Sequence, residues 1–362
     1  MKIARSVALS AAVLVLGLTT ACAGGSASSS SASGTGAAAT SNASSASTAE
    51  GDKKIVLYSG RNEKLVQPII DQFKTKTGID VEVRYGKTSQ MAAQLLEEGD
   101  KSPADLFLAQ DAGALGAVSN KGLFQELPEK TLTTVPEKYR DAENQWVGVT
   151  GRARVLAYNP DMVKEADLPK TVEDLNGATY KGKVGVAPTN ASFQSFITAM
   201  RVLEGDSAAE KYLSDLAANE PQIHEGNGQI VKDIDAGKIP FGLVNHYYLY
   251  EIAKEKGVDY SAMKVKNYIF PDANIGSLVN VSGAGIIKHT KDNEAQQLLD
   301  FFLSMDGQKY FAETTFEYPL IDGAPTPAGM PKLEEIKTPN VDLNKLEDLE
   351  TTIKMITSAG LA

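Results

Sequence analysis

The chain has 362 residues, with 46 acidic against 36 basic side chains and a formal net charge of −10 at pH 7. An acidic body of this size argues against nucleic acid as a partner, and a single cysteine rules out an internal disulfide. The length is enough for two lobes with separate cores.

Lys2 and Arg5 precede an apolar run from Val7 to Leu18. As a helix the run spans roughly 18 Å, well short of the ~30 Å hydrocarbon core. Residues 1–21 therefore read as a signal peptide rather than a membrane span. Leu18-Thr19-Thr20-Ala21-Cys22 resembles a bacterial lipobox, with Thr19 where leucine is usual, and makes Cys22 the candidate lipidation site. From Ala23 to about Glu50 the chain is almost entirely Ser, Ala, Gly and Thr. Such a segment cannot bury enough apolar surface to offset its ordering entropy. Residues 22–52 are expected to be a lipidated cysteine and a flexible tether reaching roughly 30 Å. The protein is expected to be an extracytoplasmic, membrane-anchored lipoprotein.

In the body, short apolar runs alternate with amphipathic segments. Ile55–Tyr58 reads as a buried strand, followed by Leu65, Ile69, Ile70 and Phe73 at helical spacing and Gly78 as the stop. Pro68 implies a kink or a late helix start. Val81 and Val83 alternate with charged residues as in a half-exposed strand, and Thr88 is placed to cap the helix of Met91, Leu95 and Leu96. Ala104–Leu108 is a further strand, and Asp111 is placed to cap the helix of Leu115 and Val118. Trp146–Val149 and Val155–Tyr158 read as two strands. Lys183–Ala187 leads into a helix with Phe193, Ile197 and Met200, and Ile230, Val231 and Ile234 form a helical stripe. Phe241–Val244 is a strand that runs directly into Asn245-His246-Tyr247-Tyr248 and a helix. Gly285–Ile287 is a late strand before the helix of Leu298, Leu299, Phe302 and Leu303. This βα alternation predicts parallel sheets with helices on both faces.

Ligands of such sheets bind beyond the C-terminal strand ends. The residues to search are therefore Ser59 to Glu63, Gln110-Asp111, Pro188 to Ser192 and Asn245 to Tyr248. Catalytic patterns are missing there. His224, His246 and His289 have no metal-ligand spacing, and no G-x-S-x-G or P-loop occurs. Gly226-Asn227-Gly228 lacks the third glycine of a dinucleotide loop. The protein is not expected to be an enzyme. Tyr247 and Tyr248 sit at a strand-to-helix junction, where two phenols can project into a cleft. A phenol ionises near pH 10, so it suits only a hard, highly charged cation such as Fe³⁺. An isolated Tyr-Tyr pair is more often aromatic packing.

Context shifts that balance. Asn227, then Asp235-Ala236-Gly237-Lys238-Ile239-Pro240, then Gly242-Leu243-Val244-Asn245-His246-Tyr247-Tyr248 resemble the ferric-ion-binding proteins of bacterial iron importers. The resemblance extends through Ile55 to Arg61, Pro103 to Phe107, Gly151 to Val155, Ser282 to Gly285 and Glu317 to Leu320. It implies a two-lobe α/β fold of the type II periplasmic-binding-protein kind, joined by two crossover strands. The expected division is lobe 1 at 53–152 with 283–325, lobe 2 at 153–282, and C-terminal helices at 326–362 of unassigned lobe.

The resemblance also implies the site. Adjacent tyrosines ligate ferric iron in this family, so Tyr247 and Tyr248 are the expected metal ligands, with Glu63 and Asp111 as further candidates. A synergistic anion, carbonate or phosphate, is expected at Asn227, Asn245, Arg152, Arg154 and the Asn190-Ala191-Ser192 turn, whose N–H groups suit an anion. This chain departs from the family where Asn62 stands for a usual histidine and Gln110 for a usual glutamate. The implied function is capture of ferric iron by a monomer and delivery to an ABC importer permease with its ATPase. The rival readings are another cargo (a phosphonate, an organic cofactor or an iron chelate) and a tethered sensor.

Overall fold

The computed structural model describes residues 54–291, 293–327 and 329–362. The expected signal peptide, Cys22 and the tether lie outside them. The first lobe begins with β1 (Lys54–Ser59), α1 (Glu63–Thr77), β2 (Asp80–Tyr85), α2 (Thr88–Glu98), β3 (Leu106–Ala109), α3 (Ala112–Ser119) and the short α4 (Glu129–Leu132). β1 pairs in parallel with β2 on one side and β3 on the other. The helix α1 starts at Glu63, because the Asn62 side chain accepts from the Lys64 N–H and caps it. The late start that Pro68 allowed is not used.

β4 (Val147–Tyr158) then carries the chain across, with all twelve residues buried. The second lobe follows as β5 (Val184–Val186), α5 (Ala191–Glu204), α6 (Asp206–Ala218), β6 (Gln222–Ile223), α7 (Asn227–Asp235), β7 (Phe241–Asn245), α8 (Tyr248–Lys256) and β8 (Lys266–Tyr268). β5 is parallel to both β6 and β7. Gly242 in β7 is required by close approach, since a Cβ there would collide with Ile230 of α7.

β9 (Val279–Ile286) returns to the first sheet, antiparallel to β3 and β4. α9 (Glu294–Phe302), α10 (Met305–Tyr310), β10 (Tyr318–Pro319) and α11 (Leu349–Ser358) complete the chain. The strand order is β2-β1-β3-β9-β4-β7-β5-β6, with β8 and β10 also on β4.

The structure differs from expectation in three places. The two strands expected at 146–149 and 155–158 are one continuous strand, which the buried Arg152 and Arg154 do not interrupt. Up to Ala153 it pairs with β9, and from Arg154 it pairs with β7. The return strand starts at Val279, upstream of 282–285. It runs antiparallel to its neighbours, so each parallel trio ends on an antiparallel strand. The cores are also not separate. One apolar cluster runs from Ile55 and Phe107 through Val149, Ala153 and Leu156 to Phe196 and Leu213. A smaller cluster around Val155, Ile230, Val244 and Leu249 fills the other face of the second sheet.

Candidate metal and anion site

β7 ends at Asn245 and α8 begins at Tyr248, so Tyr247 occupies the cap position of that helix. The two tyrosine rings stack with centroids 4.4 Å apart at 27°. Tyr247 is buried and Tyr248 partly exposed. Burial raises the Tyr248 phenol well above its ordinary value, reinforced by the neighbouring Tyr247 oxygen and by Glu251. Tyr248 therefore keeps its proton at neutral pH unless a strong Lewis acid displaces it. Among the described residues no group of three or more His, Cys, Asp or Glu side chains is arranged to hold a metal ion.

His246 precedes the pair but takes no part in a metal site. Burial pushes its pKa down to about 4, so the ring is neutral at pH 7. Its Nδ1 accepts from the Ala153 N–H at 3.1 Å, and its Nε2 faces the Phe316 carbonyl at 2.9 Å. Both nitrogens are committed to backbone.

Several buried donors on β4 and at the end of β7 are unpartnered, and of these Arg152 is coupled by charge to Tyr247. Asn245 lies opposite Arg154 in the β4–β7 register. Its Nδ2 has no partner, nor do Nε and Nη1 of Arg152 or Nε and Nη2 of Arg154. Burial lowers the pKa of both arginines, that of Arg154 to about 10, so Arg154 remains a cation at neutral pH. Arg154 donates to the Ser192 carbonyl at 3.2 Å and sits 4.5 Å from the Phe196 ring centroid. Unpaired buried donors cost roughly 1–3 kcal/mol each, more when charged, so the cluster is prepared for an acceptor.

The Asn190-Ala191-Ser192 turn opens α5, but part of its N–H supply is already used. Asn190 Oδ1 accepts from Ser192 N at 3.0 Å and from Ser192 Oγ at 2.7 Å. Asn227 Nδ2 donates to Ser192 Oγ at 3.0 Å. The structure thus joins Asn190, Ser192, Asn227, Arg154 and Asn245 in one neighbourhood.

The first-lobe candidates are placed differently. Glu63 is exposed in the first turn of α1. Asp111 is fully buried and caps α3 through Ala114 N at 3.3 Å. Burial raises its pKa, opposed by the charge of Arg152. Gln110 reaches across to Asn190 at 3.4 Å. Thr88 is the first residue of α2 rather than its cap. Its hydroxyl donates to Gly60 O and accepts from Gln110 N, tying two cleft loops together.

Sequence reasoning passed over Arg61 and Glu251. Arg61 is buried and pairs with the buried Glu317 at 2.7 Å, its guanidinium 5.7 Å from the Tyr247 ring centroid. Its position just after β1 was the available signal. Glu251 stands one helical turn beyond Tyr248, with Oε2 unpartnered. Burial, then Glu255, push its pKa up to about 7.

This two-lobed α/β fold is that of an extracytoplasmic solute-binding protein. Residues 101–348 match the family described as bacterial extracellular solute-binding protein. Within that class, the chain is 32% identical over 87% of its length to the Fe(3+)-binding periplasmic protein of Serratia marcescens, covering 93% of that protein. It is 30% identical over 85% of its length to the major ferric iron-binding protein of Neisseria meningitidis serogroup B, again covering 93%. Iron-bound HitA from Pseudomonas aeruginosa superposes with a TM-score of 0.79 at 31% identity, over 85% of this chain and 99% of that one. The chain belongs to the ferric-ion-binding protein family of bacterial solute-binding proteins. Its place is extracytoplasmic, it is a binding protein rather than an enzyme, and its class works with an ABC importer.

Proposed function

We propose that this protein captures ferric iron between its lobes through Tyr247 and Tyr248, together with a small anion, and hands it to an ABC importer. The observation that carries the reading is the stacked phenol pair at the end of β7, with the buried, partly unpartnered Arg152 coupled by charge to Tyr247. Fe³⁺ displaces the phenol protons. Asn245, Arg152 and Arg154 hold a carbonate or phosphate, with Asn227 and the Asn190-Ala191-Ser192 turn behind them. Ionising the phenols releases protons on binding. Asp111 supports Arg152, and Glu63 is the acidic side chain nearest in sequence to the missing histidine position.

The protein acts as a monomer on a lipid anchor at Cys22, with residues 23–52 as its tether. Cys22→Ala is expected to move the protein from the membrane fraction to the soluble fraction without unfolding the body.

The direct test is titration of the metal-free protein with ferric citrate. A visible phenolate-to-iron absorption band and proton release are expected. A colourless protein that leaves all iron on citrate would refute the reading.

A further inference from the structure

The two usual first-lobe ligand positions offer only neutral amide oxygens here, which are weak partners for a hard trivalent cation. The Asn62 side chain is exposed and caps α1, accepting from Lys64 N at 3.0 Å. Gln110 Nε2 donates to Asn190 Oδ1 at 3.4 Å, which leaves a neutral amide oxygen as the ligand it can offer. A metal shifts lobe closure only if the closed state offers it, or its ligands, something the open state does not. With such weak first-lobe ligands, another first-lobe group is needed to respond to the loaded site.

Arg61 is the first-lobe group that meets the tyrosines. It follows β1, whereas Tyr247 follows β7. The guanidinium is anchored from behind. Glu317 takes it at 2.7 Å and is itself held by the hydroxyls of Thr150 at 3.2 Å and Thr315 at 3.1 Å. The backbone next to Glu317 is strained, since Phe316 has φ of 58°. The same Phe316 carbonyl receives His246, the residue before Tyr247. One loop therefore fixes both the arginine and the approach to the tyrosine.

We propose that Arg61, locked by Glu317, receives Tyr247 on closure and couples occupancy of the phenol site to the lobe movement, in place of a first-lobe metal ligand. This rests on the phenol-site reading above. A metal-bound phenolate accepts a stronger hydrogen bond from a guanidinium than a neutral phenol does, so the loaded site favours the closed form. Arg61 is a positioning residue and does not touch the metal.

The test adds ferric citrate to wild type, Arg61→Lys, Glu317→Gln and the double variant Arg61→Gln/Glu317→Gln. Visible absorption and small-angle scattering are recorded on each. Wild type is expected to colour and compact. The double variant is expected to colour, with half-saturation raised roughly 10- to 100-fold and no compaction. Its band should move to longer wavelength, because a nearby cation lowers the phenolate donor level and raises the charge-transfer energy. Arg61→Lys keeps the charge but loses the planar fork and is expected to restore part of the compaction. Glu317→Gln leaves Arg61 unneutralised, so its band should move to shorter wavelength. This single variant retains hydrogen-bonding groups for both threonines and decides the matter if the double variant does not fold. Wild-type band and compaction in the double variant, or an unmoved band in Glu317→Gln, would overturn the coupling and leave the phenol site intact. A colourless wild type would overturn both.

Discussion

The two walls of the cleft are built from opposite chemistry. The second-lobe wall carries the phenols, the unpartnered amide of Asn245 and the α5 turn. The first-lobe wall carries Arg61, Gln110 and the capped, buried Asp111, with Asn62 and Glu63 at its exposed edge. On the proposed reading, one wall ligates a cation and an anion, whereas the other chiefly recognises that this has happened. The difference teaches that capture and closure need not share residues. A site can be assembled on one lobe, while the second lobe reads its charge.

The largest effect should come from the ligating wall. Tyr247→Phe and Tyr248→Phe are each expected to weaken ferric binding by more than ~100-fold, beyond the usual range for groups outside the coordination shell. The double variant should show no visible band. Competition against citrate measures the loss, and a double variant that still colours would break the comparison outright.

The anion comes next. Stripping carbonate and phosphate from the buffer should weaken iron binding by roughly 10- to 100-fold, since several charged donors would lose their acceptor. Equal affinity with and without these anions would mean that protein groups complete the shell.

Glu251 sharpens the picture of the second wall through stability. In the native metal-free protein its carboxyl keeps a proton up to about pH 7, whereas its unfolded value is 4.5. Between those values the native state binds more protons, so its contribution to stability falls as pH rises and the penalty is complete above 7. Discounting for partial exposure, Glu251→Gln should be more stable than wild type by ~2 kcal/mol at pH 8 and equal to it at pH 4. Thermal melts of metal-free protein at the two pH values check this. A gap that widens toward acid would show the sign to be wrong.

The smallest effect is expected at the exposed edge of the first wall. Glu63→Gln should change ferric affinity by less than ~5-fold, as befits an exposed charge. A loss as large as that of the tyrosines would show that a first-lobe carboxylate has taken the place of the missing ligand, and the contrast between the walls would fall.

Much of this was legible in the sequence because it is local. Alternating apolar runs placed the strands, Asp111 does cap its helix, and the tyrosines do stand where a strand gives way to a helix. What was hidden depends on distant partners. The run from Val147 to Tyr158 reads locally as two strands with a crossover segment at Gly151 to Val155 between them, because no local pattern marks it as one strand shared by two sheets. The burial of Arg152 and Arg154 follows from sheets that close over both faces. Arg61 reads as an ordinary loop cation until Glu317, near the other end of the chain, is folded against it. Thr88 looked like a cap because its hydroxyl suits one. Tertiary structure instead gave that hydroxyl two loop partners, and Lys87 became the cap residue.

The fully buried charges around the cleft have one more consequence. Among the described residues, the buried Arg61, Arg152 and Arg154 outnumber the fully buried carboxylates Glu317 and Asp111, so this interior carries a surplus of positive charge before any cargo arrives. Hydrated calcium or magnesium would meet repulsion there and find phenols that these ions are too weakly acidic to ionise. The repulsion is stronger still for Fe³⁺, so what separates the metals is the power to ionise the phenols, which supplies the compensating negative charge. Discrimination between metals would then begin before coordination geometry is tested, with entry reserved for an ion acidic enough to make its own ligands.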